Sequence, residues 1–467
     1  MKLIKCVLPP LMLTSLATHA ADLASTSANP VVATEAGQVS GVTSNAVSSF
    51  KGIPFAAPPI GDLRWRPPQP AAHWQGVRTA NTYGNDCMQK PIASDAAPLG
   101  AAPAEDCLYL NVWKPSAVAG KRPVLVWIYG GGFMNGGASP PVYSGDQLAE
   151  KDVVVVSFNY RVGRFGFFAH PQLTKEQSST EAVGNYGFMD QVAALQWVKR
   201  NIASFGGDPD NVTIVGESAG GMSIHTLLTS SLSQSLFQKA VIQSGGDGHL
   251  MMNSLANAQK AGQAFAASQG IAANDAHALQ KLRQLPAEQI MGDLNMNTLF
   301  QKPSANPTFT MPMIDGQVAV DAMNAYSTGH FAHVPIMVGA TSDDLFGERG
   351  PMVQGAKSIA DLLASQGVPL YRYRFSYVAE SEQAANPNGA KHASDIPYFF
   401  GTLAQRYGAK TTPRDQALSA LTSDYLINFV KTGNPNASGL PQWSAYQPGR
   451  HSSLEFTGQG TAATFQD

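Results

Sequence analysis

The chain has 467 residues, 44% of them apolar, with 44 Gly, 31 Pro and 3 Cys. That length admits about three average domains, although large α/β folds run longer as one unit. A formal net charge of −2 gives no electrostatic ground for nucleic acid or an anionic membrane as partner. The 14% of charged residues leaves ample apolar material for a large core.

Lys2 and Lys5 precede a largely apolar run from Val7 to Ala17, and small residues follow at Thr18, Ala20 and Ala21. This is the layout of a signal peptide over residues 1–21, and it predicts export to a periplasm or the medium. The apolar run falls short of the roughly 20 residues a membrane span needs, and no later segment supplies a span. Removal of the leader takes Cys6 with it. Cys87 and Cys107 remain, and two cysteines in an exported chain read as one disulfide, clipping the Ala-, Pro- and Ser-rich loop Asp86–Ala104. Two thiols cannot supply a four-ligand zinc site, so no metal is expected.

Buried-strand runs follow at Val124–Tyr129, Val153–Asn159, Val212–Val215, Ala240–Ser244, Val334–Gly339 and Tyr371–Tyr377. Continuous Val and Ile suit strands covered on both faces of a mostly parallel sheet. Between them the clearest helix is Tyr186–Ser204, where Met189, Val192, Leu195, Trp197 and Val198 recur at helical spacing. The alternation is an α/β pattern without internal repeats.

Two of these strands end in chemistry. After Val124–Tyr129 comes Gly130-Gly131-Gly132-Phe133, a loop that exposes main-chain N–H groups at a strand's carboxyl end. Such donors stabilise the negative charge that builds on a carbonyl oxygen during acyl transfer. After Val212–Val215 comes Gly216-Glu217-Ser218-Ala219-Gly220, opening the helical run GMSIHTLL. A Gly-x-Ser-x-Gly turn between strand and helix is the context of a nucleophile elbow, and the helix N-terminus adds the Ala219 amide to the donors. Gly131, Gly132 and Ala219 are the candidate oxyanion donors.

Where that elbow occurs, the partners follow in the order serine, acid, histidine. Of the ten histidines, only His392 and His451 lie beyond Val334–Gly339, whose end supplies Asp343, Asp344 and Glu348. His392 sits in the loop-like stretch NPNGAKHASDIPYFF, where a side chain can reach over the sheet edge. His451, beside Arg450 and Ser452, reads as a solvent residue, and His225, two turns past the serine, as a packing or surface residue.

At this point the chain resembles the type-B carboxylesterase/lipase family, relatives of the cholinesterases. The matching segments are FKGIPFAAPPIGDLRWRPP (Phe50–Pro68), EDCLYLNVW (Glu105–Trp113), VWIYGGGF (Val126–Phe133), NYRVGRFGFF (Asn159–Phe168), Gly184–Gly221 with its GESAGG, and VIQSGG (Val241–Gly246). PMIDG (Pro312–Gly316), NFVKTGNPN (Asn428–Asn436) and Trp443 also correspond, so the likeness covers nearly all of residues 22–467 as one domain. It implies an α/β-hydrolase fold and a serine carboxylesterase without a cofactor, acting on small-molecule esters through an acyl-enzyme on Ser218. Asp344 and His392 would complete the triad, Glu217 and Ser244 would stand behind it, and Cys87–Cys107 would match the family's disulfide.

The departures are specific. The family's acid segment usually reads Asp-Glu-Gly, whereas this chain reads Asp343-Asp344-Leu345, which leaves open whether Asp343 shares the role. Only 48 residues separate Asp344 from His392, which implies a shortened cap and a more open pocket. No Trp lies in Asp86–Asp106 to bind a quaternary ammonium by cation–π attraction. The segment resembling the acyl-pocket wall, at Asn306, Thr308 and Phe309, is less aromatic than in cholinesterases. Both features argue against a choline ester. A lipase or a hydrolase of a specialised natural ester is the alternative, and a non-catalytic adhesion-type relative would be expected to lack the serine. The sequons at Asn211 and Asn436 carry little weight beside a leader of bacterial type.

Overall fold

The computed structural model describes Met1 and residues 29–92, 95–117, 120–176, 182–249, 253–302, 304–450 and 452–466. The leader reading, apart from Met1, and His451 lie outside the described residues.

An 11-stranded sheet organises the molecule. In chain order its strands are β1 (Val42–Ser44), β2 (Val47–Pro54), β3 (Tyr109–Pro115), β4 (Arg122–Ile128), β5 (Val154–Phe158), β6 (Gly207–Glu217), β7 (Lys239–Gln243), β8 (Ile336–Thr341), β9 (Leu370–Phe375), β10 (Ser452–Phe456) and β11 (Ala462–Gln466). Across the sheet they run β11-β10-β9-β8-β7-β6-β4-β5-β3-β2-β1. Every pairing from β5 to β10 is parallel. Antiparallel strands close both edges, β3, β2 and β1 at one and β11 at the other. With helices packed on it, this is the α/β-hydrolase fold that the sequence implied.

The central strands form where the sequence offers unbroken apolar runs. Every residue of β5, β7 and β8 is buried, as continuous Val, Ile and Ala demand when both faces are covered. β6 begins at Gly207 rather than Val212, because Gly207 already pairs with Arg122 before a register irregularity that ends at Val212. The predicted helix Tyr186–Ser204 is an α-helix over Tyr186–Asn201 (α1), continued by a 3-10 turn and ended by Gly206 in the left-handed region. Asp190 on α1 takes two hydrogen bonds of 2.8 Å from the Arg161 guanidinium, which pins the helix to the chain leaving β5.

The disulfide Cys87–Cys107 is formed, with Cα atoms 4.9 Å apart. The loop it clips is not wholly irregular, since Asp86–Cys87 pairs with Pro103–Ala104 as a short parallel ladder. Both sequon asparagines have committed amides: Asn211 Nδ2 donates to the Lys431 carbonyl at 3.3 Å, and Asn436 Nδ2 to the Trp443 carbonyl at 2.8 Å. Among the described residues no helix is long and apolar enough to cross a membrane.

Candidate active site

Ser218 stands between β6 and the helix α2 (Ala219–Thr229) with φ 56° and ψ −122°, a conformation costly for a residue with a Cβ. Three contacts over-determine it. Its amide donates to the Gln243 carbonyl at 2.9 Å, its carbonyl accepts from Met222 N at 2.8 Å, and Gly130 packs so close that a Cβ there would lie 2.9 Å from Ser218 Cβ. Gly220 has to be glycine as well, because a Cβ at that position would run into the Ile128 carbonyl. The sharp turn thus follows from glycine on the neighbouring strand end as much as from the glycines of the motif itself.

The glycine loop lies against the same serine. Gly131 and Gly132 have φ of 109° and 62°, and the Gly131 carbonyl accepts from Met134 N and Asn135 N at 3.1 and 2.9 Å. Among the described residues the amides of Gly131, Gly132 and Ala219 have no acceptor. That leaves three free main-chain donors around the Ser218 turn.

The acid and the histidine come from the other half of the sheet. Asp344 follows β8 and is 3% exposed. Its Oδ1 accepts from His392 Nδ1 at 2.6 Å and from Leu345 N at 2.7 Å, and its Oδ2 from Ser244 Oγ at 2.7 Å and Thr341 Oγ1 at 2.8 Å. Burial alone would raise its pKa, but the His392 interaction and these donors hold it below the usual carboxylate value. Asp343 turns away, pairing with Lys391 Nζ and bonding through its amide to the Ala390 carbonyl at 2.8 Å. The alternative left open by the sequence, a shared acid, has no contact to rest on: the histidine meets Asp344 alone of the two. Ser244, at the end of β7 with φ 47°, sits directly behind that carboxylate.

Glu217 is closer to the chemistry than the sequence suggested. Its Oε1 lies 3.3 Å from His392 Nε2, without hydrogen-bond geometry. Burial pushes its pKa up to about 8, against the pull of the imidazole. His392 is itself desolvated, which favours the neutral ring, yet the Glu217 and Asp344 carboxylates outweigh that and raise its pKa to about 9. A third buried acid was missed by sequence reasoning. Asp395, three residues past His392, accepts from Tyr373 OH at 3.0 Å and is lifted by burial to about 6. The only sequence signal for it was an acid one helical turn beyond the histidine.

A cavity of about 510 Å³ opens over Ser218 and His392. Ile92 and Ala97 of the disulfide loop, Tyr143, Met296 and Ile396 contribute to its wall. Asn306, Thr308 and Phe309 do not line it; Thr308 instead holds the Arg164 guanidinium, through Oγ1 at 2.8 Å and its carbonyl at 3.1 Å. His225 is buried with Nδ1 2.9 Å from Tyr326 OH, a packing residue on α2.

Residues 28–349 and 349–466 match the model of the carboxylesterase family. This chain belongs to the carboxylesterase family. It is 36% identical over 479 residues to the fumonisin B1 esterase of Sphingopyxis macrogoltabida, covering 89% of this chain and 84% of that one. The para-nitrobenzyl esterase of Bacillus subtilis (strain 168) is 33% identical over 469 residues, covering 89% of this chain and 92% of the relative. A solved structure of PNB esterase superposes with a TM-score of 0.82 at 30% identity, covering 94% of this chain and 97% of that chain. Family membership implies ester substrates.

Proposed function

We propose that this carboxylesterase-family chain is an exported serine hydrolase that cleaves carboxylic esters to acid and alcohol through an acyl-enzyme on Ser218. The observation that carries this reading is the strained Ser218 turn, which lines one cavity with Gly131 and with an imidazole held at Nδ1 by a buried carboxylate, while the Gly131, Gly132 and Ala219 amides have no acceptor among the described residues. His392 Nε2 takes the proton from Ser218 Oγ as the oxygen attacks the ester carbonyl. The Gly131, Gly132 and Ala219 amides bind the oxyanion of the tetrahedral intermediate, and Asp344 stabilises the imidazolium. The imidazolium protonates the leaving alkoxide, so the alcohol departs and the acyl group remains on Oγ. Water then adds to the acyl-enzyme, giving its proton to His392, and Ser218 is regenerated as the acid leaves. Ser218 and His392 line the same cavity, and among the described residues Ser218 Oγ has no side-chain partner to compete for its hydroxyl.

The test is Ser218→Ala, assayed on p-nitrophenyl esters from C2 to C16. Turnover is expected to fall by at least about 10³-fold with an unchanged circular dichroism spectrum. Turnover retained by the folded variant would refute the assignment. Secretion assayed with and without residues 1–21 tests the export reading in the same protein.

A further inference from the structure

Two residues beyond Phe133, Asn135 is 1% exposed and lines no part of the cavity over Ser218. Its main chain closes the glycine loop. Asn135 N donates to the Gly131 carbonyl at 2.9 Å, and a Cβ on Gly131 would lie 2.3 Å from the Asn135 carbonyl oxygen. Its carboxamide reaches two other segments. Nδ2 donates to the Lys90 carbonyl at 2.8 Å and to Gln89 Oε1 at 3.2 Å, both in the disulfide loop. Oδ1 accepts from Met296 N at 2.7 Å, at the start of the 3-10 turn Met296–Phe300. That turn packs on the next glycine, where a Cβ on Gly132 would lie 2.7 Å from Leu299 Cδ1 and 3.4 Å from Met296 Cγ. Gln89, itself buried, completes the net: its Oε1 accepts from Gly136 N at 2.8 Å and its Nε2 donates to the Gly136 carbonyl at 2.6 Å.

We propose that Asn135 is the positioning residue of the oxyanion donors, fixing the Gly131 and Gly132 amides by tying the glycine loop to the disulfide loop and to the Met296–Phe300 turn. The inference rests on the esterase reading above and adds to it the residue that holds the donors in place. Donors stabilise an oxyanion only when they are aimed before the charge develops, since reorientation gives back what the hydrogen bond gains. Gly131 and Gly132, both at positive φ, have no side chain with which to hold such an aim. A buried carboxamide whose nitrogen and oxygen are both engaged supplies the missing rigidity. Asn does this because it presents donors and an acceptor on one short side chain, whereas an ionised Asp has nothing to donate to Lys90 and Gln89. Asn135 touches no substrate and acts through the glycines.

The experiment compares the wild type with Asn135→Ala and with Asn135→Asp, which keeps the size and the acceptor but loses the donors. Each is assayed on p-nitrophenyl acetate and with two inhibitors. An aryl trifluoromethyl ketone places its hemiketal oxygen where the oxyanion forms, and the corresponding methyl ketone binds as a plain carbonyl. In both variants kcat is expected to fall about 10–100-fold, with KM within about threefold of the wild type. The inhibition constant of the trifluoromethyl ketone should rise by about the factor lost from kcat, and that of the methyl ketone should stay in place. An unchanged kcat, or an unchanged trifluoromethyl ketone constant, overturns the assignment. So does a rise in KM alone, which would make Asn135 a support of the cavity wall, or loss of the native circular dichroism spectrum in both variants, which would make it a residue of the fold at large. Failure of the underlying reading is separate, since it is registered by Ser218→Ala retaining turnover and by a wild type that the trifluoromethyl ketone does not inhibit.

Discussion

Glu217 and His392 face each other inside the protein, and each sets the other's proton affinity. A catalytic imidazole has to be neutral to accept the serine proton, so activity is lost as pH falls through its pKa. The carboxylates of Glu217 and Asp344 raise that pKa, which moves the acid limb above the ordinary histidine value. Glu217→Gln removes one of the two. The acid limb of kcat/KM is expected to move to lower pH, by about one unit, and a limb that stays in place would show that Glu217 does not tune the ring. Asp344→Asn is expected to lower kcat by about 10³–10⁴-fold, whereas Asp343→Asn, which breaks only the pairing with Lys391, is expected to cost little. Ser218 and the glycines were legible in sequence because the elbow is a local motif. Adjacent Asp343 and Asp344 were not separable there, because the difference lies in which one receives the hydroxyls of Ser244, at the end of β7, and of Thr341, the last residue of β8. The relevance of Asp395 arises only from burial beside His392 and Tyr373, contacts that no linear pattern encodes.

At the scale of elements, the same contrast follows from solvent exposure. Strands β4 to β8 could be read directly, since a strand covered on both faces leaves a largely apolar run, and β9 from its Tyr and Phe alternating with Arg. The outer strands β2, β3 and β10, each one or two places in from an edge, carry Ser, Lys, Asn and Glu among their apolar residues and offered no such run. The junction of β6 and α2 depends on an approach rather than on propensity, because the α2 backbone at Gly220 lies against the end of β4. Gly220→Ala is therefore expected to lower stability by about 2–4 kcal/mol, more than a helix-propensity gain can offset. The shift of the urea midpoint measures it, and a variant as stable as the wild type would contradict the packing argument. Between the acid and the histidine, one long helix, Pro351–Ser365, leads into β9. The brevity of that interval is plain in the sequence, but only the folded chain sets Phe300 beside Phe346.

For the whole molecule, the disulfide acts on both stability and the cavity. The Cys87–Cys107 bridge fixes the loop that contributes Ile92 and Ala97 to the wall over Ser218. Replacing both cysteines by serine is expected to cost about 3 kcal/mol through the freed loop. KM should rise more than kcat falls, because the wall loosens while the Ser218 turn is untouched; stopped enzyme kinetics beside a denaturant titration separates the two effects. The parallel order of the sheet also sets a schedule. The disulfide loop has all its residues once the first quarter of the chain has been made, but Asp344 reaches back 100 residues to Ser244 and forward 48 to His392. Contacts of that separation form late in folding. A nascent chain that has already made its nucleophile turn therefore carries no working site, and recovery of activity after denaturation should lag recovery of helix signal.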